Sequence, residues 1–427
     1  MTTDHNLKKV LSWSMYDWAN SAFSTTVMAG FFPVFFKQFW SAGTDVSVST
    51  FQLGAANSVA GIIVAVLAPA LGAIADKGSA KKKFLFYFAA LGIVATGSLY
   101  FIEKGHWEAA VTLFVLSMVG FSAGNIFYDS LLVHVAEEKR MDFVSALGYA
   151  LGYLGGGLLF ALNIFMTLSP QTFGLASASD GVRASFASVA VWWALFSLPL
   201  FLFVGEPKTN GGFTGWTAVR AGFRQLRATF HEIRELKVVL LFLVGYWFYI
   251  DGLNTIISMA VDYGLSLGFE SKSLLLALLI TQFVGFPAAI VFGWIGEKLG
   301  AKTGIFIGLG IYLGVTVYGY TMQNEREFYV LAAIIGLVQG GVQSLSRSLY
   351  ARIIPRNKSA EFFGFYNMIG KFATVVGPFL MGLASVWTGN PRLSIFAISL
   401  LFVLGGVFLY FVNEAEGRRL GGMLEEI

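Results

Sequence analysis

The chain has 427 residues, of which 56% are hydrophobic and only 13% are charged, and its formal net charge is +4. Soluble domains average about 45–50% apolar and about 25% charged residues, so this composition excludes an ordinary soluble domain. Apolar runs of about 20 residues, each long enough to cross a bilayer, recur from end to end. They do not alternate in polarity as membrane β-strands do, so we predict an all-α polytopic membrane protein.

Cysteine is absent, and the four histidines are scattered without the spacing of metal ligands. A disulfide, thiolate chemistry and a cysteine-based metal site are therefore excluded, and neither a metal nor any other cofactor is predicted. The first nine residues run into a long apolar segment without a small-residue cleavage site, so no cleavable signal peptide is expected.

Twelve apolar segments follow in chain order, and an even number places both chain ends on one side of the membrane. The predicted spans are residues 10–36, 51–75, 84–102, 108–134, 143–168, 183–204, 238–262, 272–296, 303–322, 328–350, 360–387 and 392–412.

Basic residues are distributed unequally between the two sides of these spans. Of the 29 Lys and Arg residues, two lie inside spans, Arg347 and Lys371. One side holds only six: Lys37, Lys104, Arg183, Lys272, Arg326 and Arg392. The other side carries the rest, so the positive-inside rule predicts that both termini are cytoplasmic, in what is expected to be a bacterial inner membrane. The net positive charge then reflects loops near anionic lipid, and no nucleic-acid partner is expected.

The longest predicted cytoplasmic loop, 205–237, divides the chain into two halves. Its apolar residues recur at spacings of three and four, as in an amphipathic helix: Trp216, Val219, Phe223, Leu226, Phe230 and Ile233. We expect this helix on the inner membrane surface or against the bundle. The predicted domains are a six-helix bundle over 1–204, the linker 205–237 and a second six-helix bundle over 238–427.

The two halves carry the same loop motif. GAIADKGSAKKK (72–83) follows the second span, and GWIGEKLGAKTG (293–304) follows the eighth. Glycine allows close helix approach, the acid can accept hydrogen bonds from a helix N-terminus across the bundle, and lysines hold the loop at the headgroups. The predicted gating residues are Gly72, Asp76, Lys77, Gly78 and Lys81 in the first copy and Gly293, Glu297, Gly300 and Lys302 in the second.

A polar stripe on the first span repeats on the seventh. DWANSAFS (17–24) aligns with DGLNTIIS (251–258), with an acid, Asn, a hydroxyl residue and Ser on one helical face. A gapless third pairing joins GFSAGNIFYDS (120–130) to GLVQGGVQSLS (336–346). By hydropathy Asp17 lies about seven residues into its span and Asp251 about thirteen, although parallel repeats place equivalent residues at similar depth. Either the first helix begins before residue 10 or the pairing is inexact.

Twelve spans, the six-plus-six repeat, the central cytoplasmic loop and the doubled loop motif resemble the major facilitator superfamily over the whole chain. The resemblance implies two six-helix bundles related by pseudo-two-fold symmetry, and a secondary transporter that works by alternating access as a monomer. Four segments are similar to the branch that contains the fungal vacuolar amino-acid effluxer of autophagy: SWSMYDWANSAFSTTV (12–27), GAIADKGSAKKK (72–83), SALGYALGYLGGG (145–157) and QSLSRSLYARIIP (343–355). That branch implies amino acids as the substrate class.

The chain departs from the superfamily pattern in two places. The fourth span has no arginine, whereas many proton-coupled members carry one there. The run GYALGYLGGG (148–157) is close to the antiporter motif of the fifth helix, but Tyr153 stands where that motif has proline. We expect the glycines of this run to serve helix packing.

Ionisable side chains at mid-membrane cost about 2.5–3.5 kcal/mol on insertion scales, so they are candidate functional residues. In the superfamily arrangement the first, fourth, seventh and tenth helices line the central cavity. The predicted substrate or proton residues are Asp17, Asp129, Asp251 and Lys371, with the polar residues Tyr16, Asn20, Asn125, Tyr128, Asn254, Gln339 and Gln343. We predict that Asp17 or Asp251 binds a substrate ammonium or cycles a proton.

Structural roles for these charges remain open alternatives. Asp17 can pair with the basic end of a neighbouring helix, and Asp129 can form an ion pair with Arg347 or Lys371. An intramembrane enzyme is not expected, because metalloprotease and Ser–His patterns and paired carboxylates on one helix are missing. A channel is disfavoured, because lone charges in a two-fold repeat do not form rings.

We therefore predict a secondary active transporter of a small polar solute, with amino acids as the first choice and proton coupling as an open addition. Export of a drug-like, sugar or lipid-like substrate and a non-transporting sensor remain alternatives. The predicted partners are the small-molecule substrate, membrane lipids and, if transport is coupled, protons.

Overall fold

The computed structural model describes residues 2–206, 236–266, 268–373, 376–388 and 391–425. Nearly all of these residues are helical, and they contain no β-strand. The amphipathic helix predicted for the linker falls within 207–235, outside the described residues.

Helices follow one another in the order of the twelve predicted spans, and one further helix ends the described chain. The first, α1, runs through four consecutive segments: Thr2–Ala22, Phe23–Phe31, Phe32–Phe35 and Phe36–Trp40. The next five are α2 Val46–Gly78, α3 Lys81–Ser98, α4 Trp107–Val135, α5 Met141–Leu168 and α6 Ala178–Phe203. The second half has α7 Lys237–Ser266, α8 Ser271–Leu299, α9 Ala301–Thr321, α10 Glu325–Ile353, α11 Ser359–Phe372 and Val376–Thr388, α12 Pro391–Tyr410 and α13 Glu414–Glu425. Within the described residues, nine of these helices are long and apolar enough to span a membrane, or ten if α12 and α13 form one bent span.

The first helix begins earlier than hydropathy indicates. It starts at Thr2, so Asp17 lies 15 residues into α1, and Asp251 lies 14 residues after Lys237 at the start of α7. The two acids thus lie at equivalent depth, which supports the pairing of the two polar stripes. The difference in depth estimated from hydropathy arose because α1 begins before residue 10. Segments Phe23–Phe31 and Phe36–Trp40 are π-helical, a geometry that often marks functional positions in helices.

Helix α11 is interrupted near its middle. Ala373 ends the segment Ser359–Phe372 with a non-helical ψ of 39°, and helix resumes at Val376. Pro378 stands in the first turn of the second segment, where the missing N–H of proline removes no helical hydrogen bond. The predicted single span 360–387 is therefore two helical segments.

Glycine brings α2 of the first half against α11 of the second. A Cβ atom on Gly364 would lie 2.6 Å from the carbonyl oxygen of Ala68, and one on Gly72 would lie 2.2 Å from that of Ala360. These backbones touch only because both positions lack a side chain, so Gly72 serves the helix approach predicted for the loop motif.

Tyr153 of α5 also packs across the boundary between the two halves, against α8 and α10. A Cβ on Gly285 of α8 would lie 3.0 Å from its ring, and one on Gly340 of α10 would lie 2.5 Å from it. The residue that departs from the antiporter motif thus packs the first half against the second. The preceding Gly152 approaches Ser21 within its own half, as expected for a packing glycine.

Both chain ends lie at one end of the bundle, which we call the terminal face. Asn6 donates to Glu137 in the α4–α5 loop, and Arg418 of α13 pairs with Glu138 in the same loop. Glu425 accepts from the backbone N–H of Arg356, in the loop before α11. Asn6 and α13 therefore contact loops at the same end of the bundle.

Candidate functional site

Arg347 of α10 is buried between the halves, with 2% of its surface exposed. Its Nη1 donates to Asp129 Oδ1 of α4 at 3.0 Å, and its two Nη atoms lie 3.4 and 3.5 Å from Asp17 Oδ2 of α1. Its Nε and Nη2 donate to the hydroxyl and carbonyl oxygens of Ser145 of α5, at 2.9 and 2.8 Å. One guanidinium from the second half thus binds three helices of the first.

The two carboxylates have further partners. Tyr128 Oη donates to Asp17 Oδ2 at 2.8 Å, and Asn367 Nδ2 of α11 donates to Asp129 Oδ2 at 3.3 Å. The side chains of Asp17 and Asp129 keep 14% and 11% exposure, more than the guanidinium they share. The two carboxylates are therefore slightly less buried than the guanidinium between them.

Aromatic rings surround the guanidinium carbon of Arg347. The ring centroids of Tyr149, Trp13 and Tyr128 lie 4.5, 4.9 and 5.5 Å from it. Rings at these distances attract a cation through their negative faces and exclude water from it. Gly148 leaves the room that the cluster needs, because a Cβ there would lie 2.6 Å from Asp17 Oδ2. We call Asp17, Asp129, Arg347 and these neighbours the charge cluster.

Three predicted site residues meet in the charge cluster: Asp17, Asp129 and Tyr128. The open alternative of an Asp129–Arg347 ion pair is the arrangement observed. The list of predicted site residues omitted Arg347 and missed Ser145 and Asn367. A signal for Arg347 was present, because it is the one arginine inside a predicted span of a chain that lacks the expected arginine on the fourth.

Other predicted polar residues line the neighbouring surface. Asn20 Nδ2 donates to Asn125 Oδ1 at 2.7 Å, which joins α1 to α4 within the first half. Tyr16 is buried and packs on the ring of Tyr128. Gln339 and Gln343 are half-buried on α10, and their side chains make no hydrogen bond within the described part of the chain.

Asp251 lies at the interruption of α11. It is 1% exposed, and its Oδ1 accepts from the backbone N–H of Gly377 at 3.0 Å and from Thr255 Oγ1 at 3.4 Å. Asn254 Nδ2 donates to the carbonyl of Ala373 at 3.2 Å. The polar face of α7 thus holds both sides of the interruption. The described residues provide no hydrogen bond or ion pair between this face and the charge cluster.

Lys371 lies in the last turn of the first α11 segment, half-buried, two residues before Ala373. The structure therefore places this predicted site residue beside the interruption of α11.

The first loop motif joins the halves at the terminal face. Asp76 accepts from the backbone N–H groups of Glu361 and Ala360, at 2.8 and 3.3 Å, in the first turn of α11. Lys81 pairs with Asp76 at 2.9 Å and donates to Ser359 Oγ at 2.8 Å. An acid that accepts from a helix N-terminus across the bundle is the contact expected of this motif.

The second loop motif is built differently. Glu297 accepts from Arg140 Nε at 2.9 Å in a largely exposed ion pair. Among the described contacts, Glu297 accepts no hydrogen bond from a helix N-terminus. Asp142 is the buried acid of this side, and it accepts from Ser348 Oγ at 2.5 Å and pairs with Arg352 at 2.8 Å. The sequence did not single out Asp142.

The remaining gating residues shape the loops. Lys77 and Gly78 form the end of α2. A Cβ on Gly293 would lie 2.8 Å from the Cβ of Ala146, so this glycine sets the approach of α8 to α5. Gly300 has a φ of 88°, which favours glycine, at the turn between α8 and α9. Lys302 donates to two backbone carbonyls at the end of α12, within its own half.

Solved transporters share this architecture. The structure superposes on the proton:xylose symporter XylE with a TM-score of 0.76 and 15% identity, covering 99% of this chain and 100% of that one. It superposes on the human organic anion transporter MFSD10 with a TM-score of 0.72 and 13% identity, covering 95% and 99%. The fold is the major facilitator fold of twelve helices.

The chain belongs to the family described as "Vacuole effluxer Atg22 like", whose model matches residues 5–139 and 132–421. It is 40% identical to the uncharacterized MFS-type transporter YxiO of Bacillus subtilis over 416 residues, 95% of each chain. It is 25% identical to autophagy-related protein 22 of Yarrowia lipolytica over 460 residues, covering 87% of this chain and 77% of that one. The protein is an integral membrane transporter of the major facilitator type.

Proposed function

We propose that the protein moves a small zwitterionic solute, with amino acids as the preferred class, across the cytoplasmic membrane by alternating access. The observation that carries the proposal is the charge cluster, which sets one guanidinium against two carboxylates between the halves. The name of the matched family adds support, because it describes an effluxer. No step of this function requires a cofactor.

A zwitterion can exchange with part of the cluster. The guanidinium of Arg347 suits a carboxylate, which it binds through two N–H groups, and an aspartate suits an ammonium group. The contact of Arg347 with Asp17, at 3.4–3.5 Å, is longer than its contact with Asp129, at 3.0 Å. A substrate carboxylate therefore displaces Asp17 at lower cost, and the released Asp17 meets the ammonium.

The amides above the cluster complete the proposed pocket. Gln339, Gln343 and Arg347 are spaced four residues apart, so they lie along one face of α10. Asn20 and Asn125 of the first half bond to each other, about one helical turn from Asp17 and Asp129 respectively. These groups would orient the polar parts of a solute that the charges hold.

The contacts between the halves indicate which side is closed. Every cross-half hydrogen bond and ion pair among the described residues belongs to the charge cluster or lies between it and the terminal face. We propose that this face is cytoplasmic and that the observed state is sealed toward the cytoplasm. The loops at Asp76 and Glu297 would hold that seal, and the divisions 1–204, 205–237 and 238–427 would be the moving parts and their linker.

An apolar solute is the second candidate. A pocket inside the second half is lined almost entirely by apolar side chains: Ile256, Ala260, Val315, Thr316, Gly319, Phe328, Leu331, Ile335, Met381, Ile395 and Ile398. It lies away from the charge cluster, but its volume of about 40 Å³ leaves no room for a lipid-like ligand in this conformation, so the second candidate requires the pocket to enlarge.

Ligand-dependent thermal stability of the purified protein tests the proposal. Leucine is compared with isoamylamine, which lacks its carboxylate, and with 4-methylpentanoate, which lacks its ammonium. We expect stabilisation by leucine alone, of about 2.7 kcal/mol at a concentration 100 times Kd, and a loss of this effect in Asp17→Asn. Glu416→Gln, an exposed change, should respond like the parent protein.

Uptake into liposomes then decides between cargo classes. Labelled leucine should accumulate in vesicles with the parent protein and not with Asp17→Asn. Stabilisation by sugars or by apolar compounds, with none by any amino acid, would contradict the proposed cargo and favour the second candidate or another class.

A further inference from the structure

A pocket of about 650 Å³ lies at the terminal face. The first half supplies most of its lining, from the start of α1, the end of α4, the α4–α5 loop and the residues that follow α6. Arg356, in the loop before α11, lines it from the second half. The pocket has the volume of a small-molecule site, and none of its described lining residues belongs to the charge cluster. It therefore lies where the two halves meet, apart from the proposed cargo site.

Cationic side chains converge on His134, at the end of α4. Lys81, Lys9 and Arg356 act electrostatically on its ring. Lys9 Nζ donates to the backbone carbonyl of His134, and Lys81 Nζ lies 3.1 Å from its Nε2. An ammonium group donates and cannot accept, so Nε2 is the acceptor and the neutral ring carries its proton on Nδ1. His134 therefore adds an N–H donor to the lining.

The two lining cations have no acid of their own. Within the described part of the chain, neither Lys9 nor Arg356 forms an ion pair. Lys9 uses one of its three N–H groups on the carbonyl of His134. The bond between Arg356 and Glu425 involves only the backbone N–H of Arg356. Two positive charges and the N–H of His134 thus lie around one pocket.

Two of the three acids described in the lining are held by other groups. Glu138 pairs with Arg418 at 2.8 Å. Glu206 accepts from the backbone N–H groups of Lys81 and Lys82, at 2.8 and 3.1 Å, at the start of α3. A helix start and an arginine therefore offset the charges of these two carboxylates.

Glu137 is the third acid. It is exposed, and its Oε1 accepts from the neutral Nδ2 of Asn6 at 2.9 Å. Lys9 and Arg356 thus outnumber the one lining acid that has neither a cation nor a helix start beside it. The pocket is therefore positive around His134, which favours an anionic ligand.

Positive charge by itself is common on this face. Lys83 and Lys139 are exposed there and lie outside the pocket, as the positive-inside rule predicts for a cytoplasmic surface. Lys9 and Arg356 differ because they line one cavity from opposite halves. They do so beside a histidine whose tautomer is fixed by the buried Lys81. A few polar groups that converge on one cavity are typical of a binding site.

We propose that this pocket binds a phosphate group on the cytoplasmic side and that the bound anion holds the terminal face closed. A phosphate monoester presents three acceptor oxygens and about two negative charges. The Arg356 guanidinium binds two of these oxygens at once, and Lys9 and His134 donate to the phosphate from the other half. A free phosphorylated solute and an anionic lipid headgroup both offer this chemistry.

The two halves share the ligand, so binding is linked to closure. Lys9 and His134 belong to the first half, and Arg356 belongs to the second. An anion that contacts all three binds best while the terminal face is closed, and it shifts the population toward that state. Transport then responds to a phosphate compound that is not itself the cargo.

Binding of pyrophosphate to the full-length protein in detergent tests the site. Its Kd is measured by calorimetry in a phosphate-free buffer, with potassium chloride holding the ionic strength constant. Arg356→Gln and Lys9→Gln should each weaken binding about tenfold, as expected for the loss of a charge-assisted hydrogen bond. Absence of binding to the parent protein would overturn the site.

Two further variants separate the pocket from general attraction to a basic surface. Lys139→Gln removes an exposed cation outside the pocket and should change the Kd by less than about twofold. Glu137→Gln removes the uncompensated acid of the lining and should tighten binding about threefold. Equal weakening by Lys139→Gln and Arg356→Gln would overturn the site, because the face as a whole would then attract the anion.

Nanodiscs distinguish the two sources of the phosphate group. The protein is placed in phosphatidylcholine mixed with either phosphatidic acid, a phosphate monoester, or phosphatidylglycerol, a diester. If the lipid headgroup is the ligand, phosphatidic acid should compete and raise the apparent Kd for pyrophosphate above its value in phosphatidylglycerol. An equal Kd in the two membranes assigns the site to a free solute, and either result supports the pocket.

Cysteine labelling tests the link to closure. Ala146 is buried at the contact of α5 with α8, so a maleimide reaches an Ala146→Cys side chain only when the face opens. Pyrophosphate at about ten times its Kd should slow labelling about tenfold, because a ligand of the closed state lowers the open population by that factor. Adding Arg356→Gln should remove most of this slowing. An unchanged labelling rate with pyrophosphate bound would overturn the link to closure. None of these measurements uses the cargo, so their failure leaves the proposed function intact.

Discussion

The planar shape of the Arg347 guanidinium, and not only its charge, is needed for the contacts it makes between the halves. Its planar fork binds Asp129, Asp17 and Ser145 at once, and three aromatic rings surround it. Lysine has the same charge but is a point donor on a flexible stem, so it cannot maintain these directions together. Loss of the side chain would leave two buried carboxylates facing each other.

We predict that Arg347→Met lowers the free energy of unfolding by about 3–5 kcal/mol, the cost of leaving a buried charge without its partner. Arg347→Lys should cost less but should also abolish transport, since its ammonium cannot bind a carboxylate through two parallel hydrogen bonds. Thermal or denaturant unfolding in detergent and uptake into liposomes measure the two effects.

A double variant provides the control. Arg347→Met combined with Asp129→Asn should lose less stability than the sum of the single changes, because the second change removes a charge that the first left unpaired. If Arg347→Met alone is as stable as the parent protein, the cluster does not hold the halves together.

At the scale of residues, sequence could find the acids and not their partner. Asp17 and Asp251 belong to a repeated stripe, so both received the same predicted role. The structure gives Asp17 the guanidinium of Arg347 and gives Asp251 the backbone of Gly377. Which group each acid binds depends on how the helices are rotated and on the contacts between the halves. The spacing of residues in the sequence does not give this information.

At the scale of elements, the interruption of α11 shows how side chains of one helix fix the backbone of another. Asp251 of α7 accepts from Gly377 at the start of the second segment, and Asn254 donates to Ala373 at the end of the first. Backbone groups left free by an interruption need such partners in a membrane. The polar stripe of α7 supplies them.

We predict that Gly377→Ala destabilises the protein by about 1–3 kcal/mol, the usual cost of overpacking. A Cβ there would lie 1.9 Å from Thr255 Oγ1 and 2.9 Å from Asp251 Oδ1, so the α7–α11 contact must shift. Thermal unfolding in detergent measures the change, and uptake into liposomes shows whether transport depends on this contact.

Gly314→Ala in α9 is the matched control. A Cβ at Gly314 meets nothing within 4 Å, so this change should be neutral or stabilise by up to about 1 kcal/mol through helix propensity. Equal stability of the two variants would show that the α11 segments are not held by α7 as described.

Hydropathy located helices α1–α12 because each has to bury or expose an apolar surface about as long as the bilayer is thick, and it did not predict the short, polar α13. It placed the start of α1 too late, since the polar residues before 10 are held by contacts such as Asn6 with Glu137 and not by apolarity. It also missed the interruption of α11, where a Gly-Pro pair at 377–378 was the only local signal.

At the scale of the whole molecule, the two loop motifs make contacts of different strength at the terminal face, beside the buried Asp142–Arg352 pair. Asp76 is buried and accepts charge-assisted hydrogen bonds from the N-terminus of α11, each worth about 1.5–3 kcal/mol. The exposed Glu297–Arg140 pair should contribute about 0–1 kcal/mol. We therefore expect the first loop motif to contribute more to the proposed seal than the second.

Labelling of single cysteines measures the closure directly, because the parent chain has no cysteine. Ala146 is buried at the contact of α5 with α8, close to the terminal face. In an Ala146→Cys protein we predict slow reaction with a maleimide while the face is sealed. Adding Asp76→Ala should speed labelling at least about tenfold, since a loss of about 1.4 kcal/mol shifts the open population by that factor.

Glu297→Gln in the same cysteine background is the comparison. Its labelling rate should change less than that of Asp76→Ala, because an exposed ion pair is weakened by water and salt. Equal acceleration by the two changes would mean that burial does not determine how strongly each contact stabilises the closed face. No acceleration by Asp76→Ala would mean that the charge cluster and the Asp142–Arg352 pair keep the face closed without it, and Arg347→Met combined with Arg352→Met should then expose the cysteine.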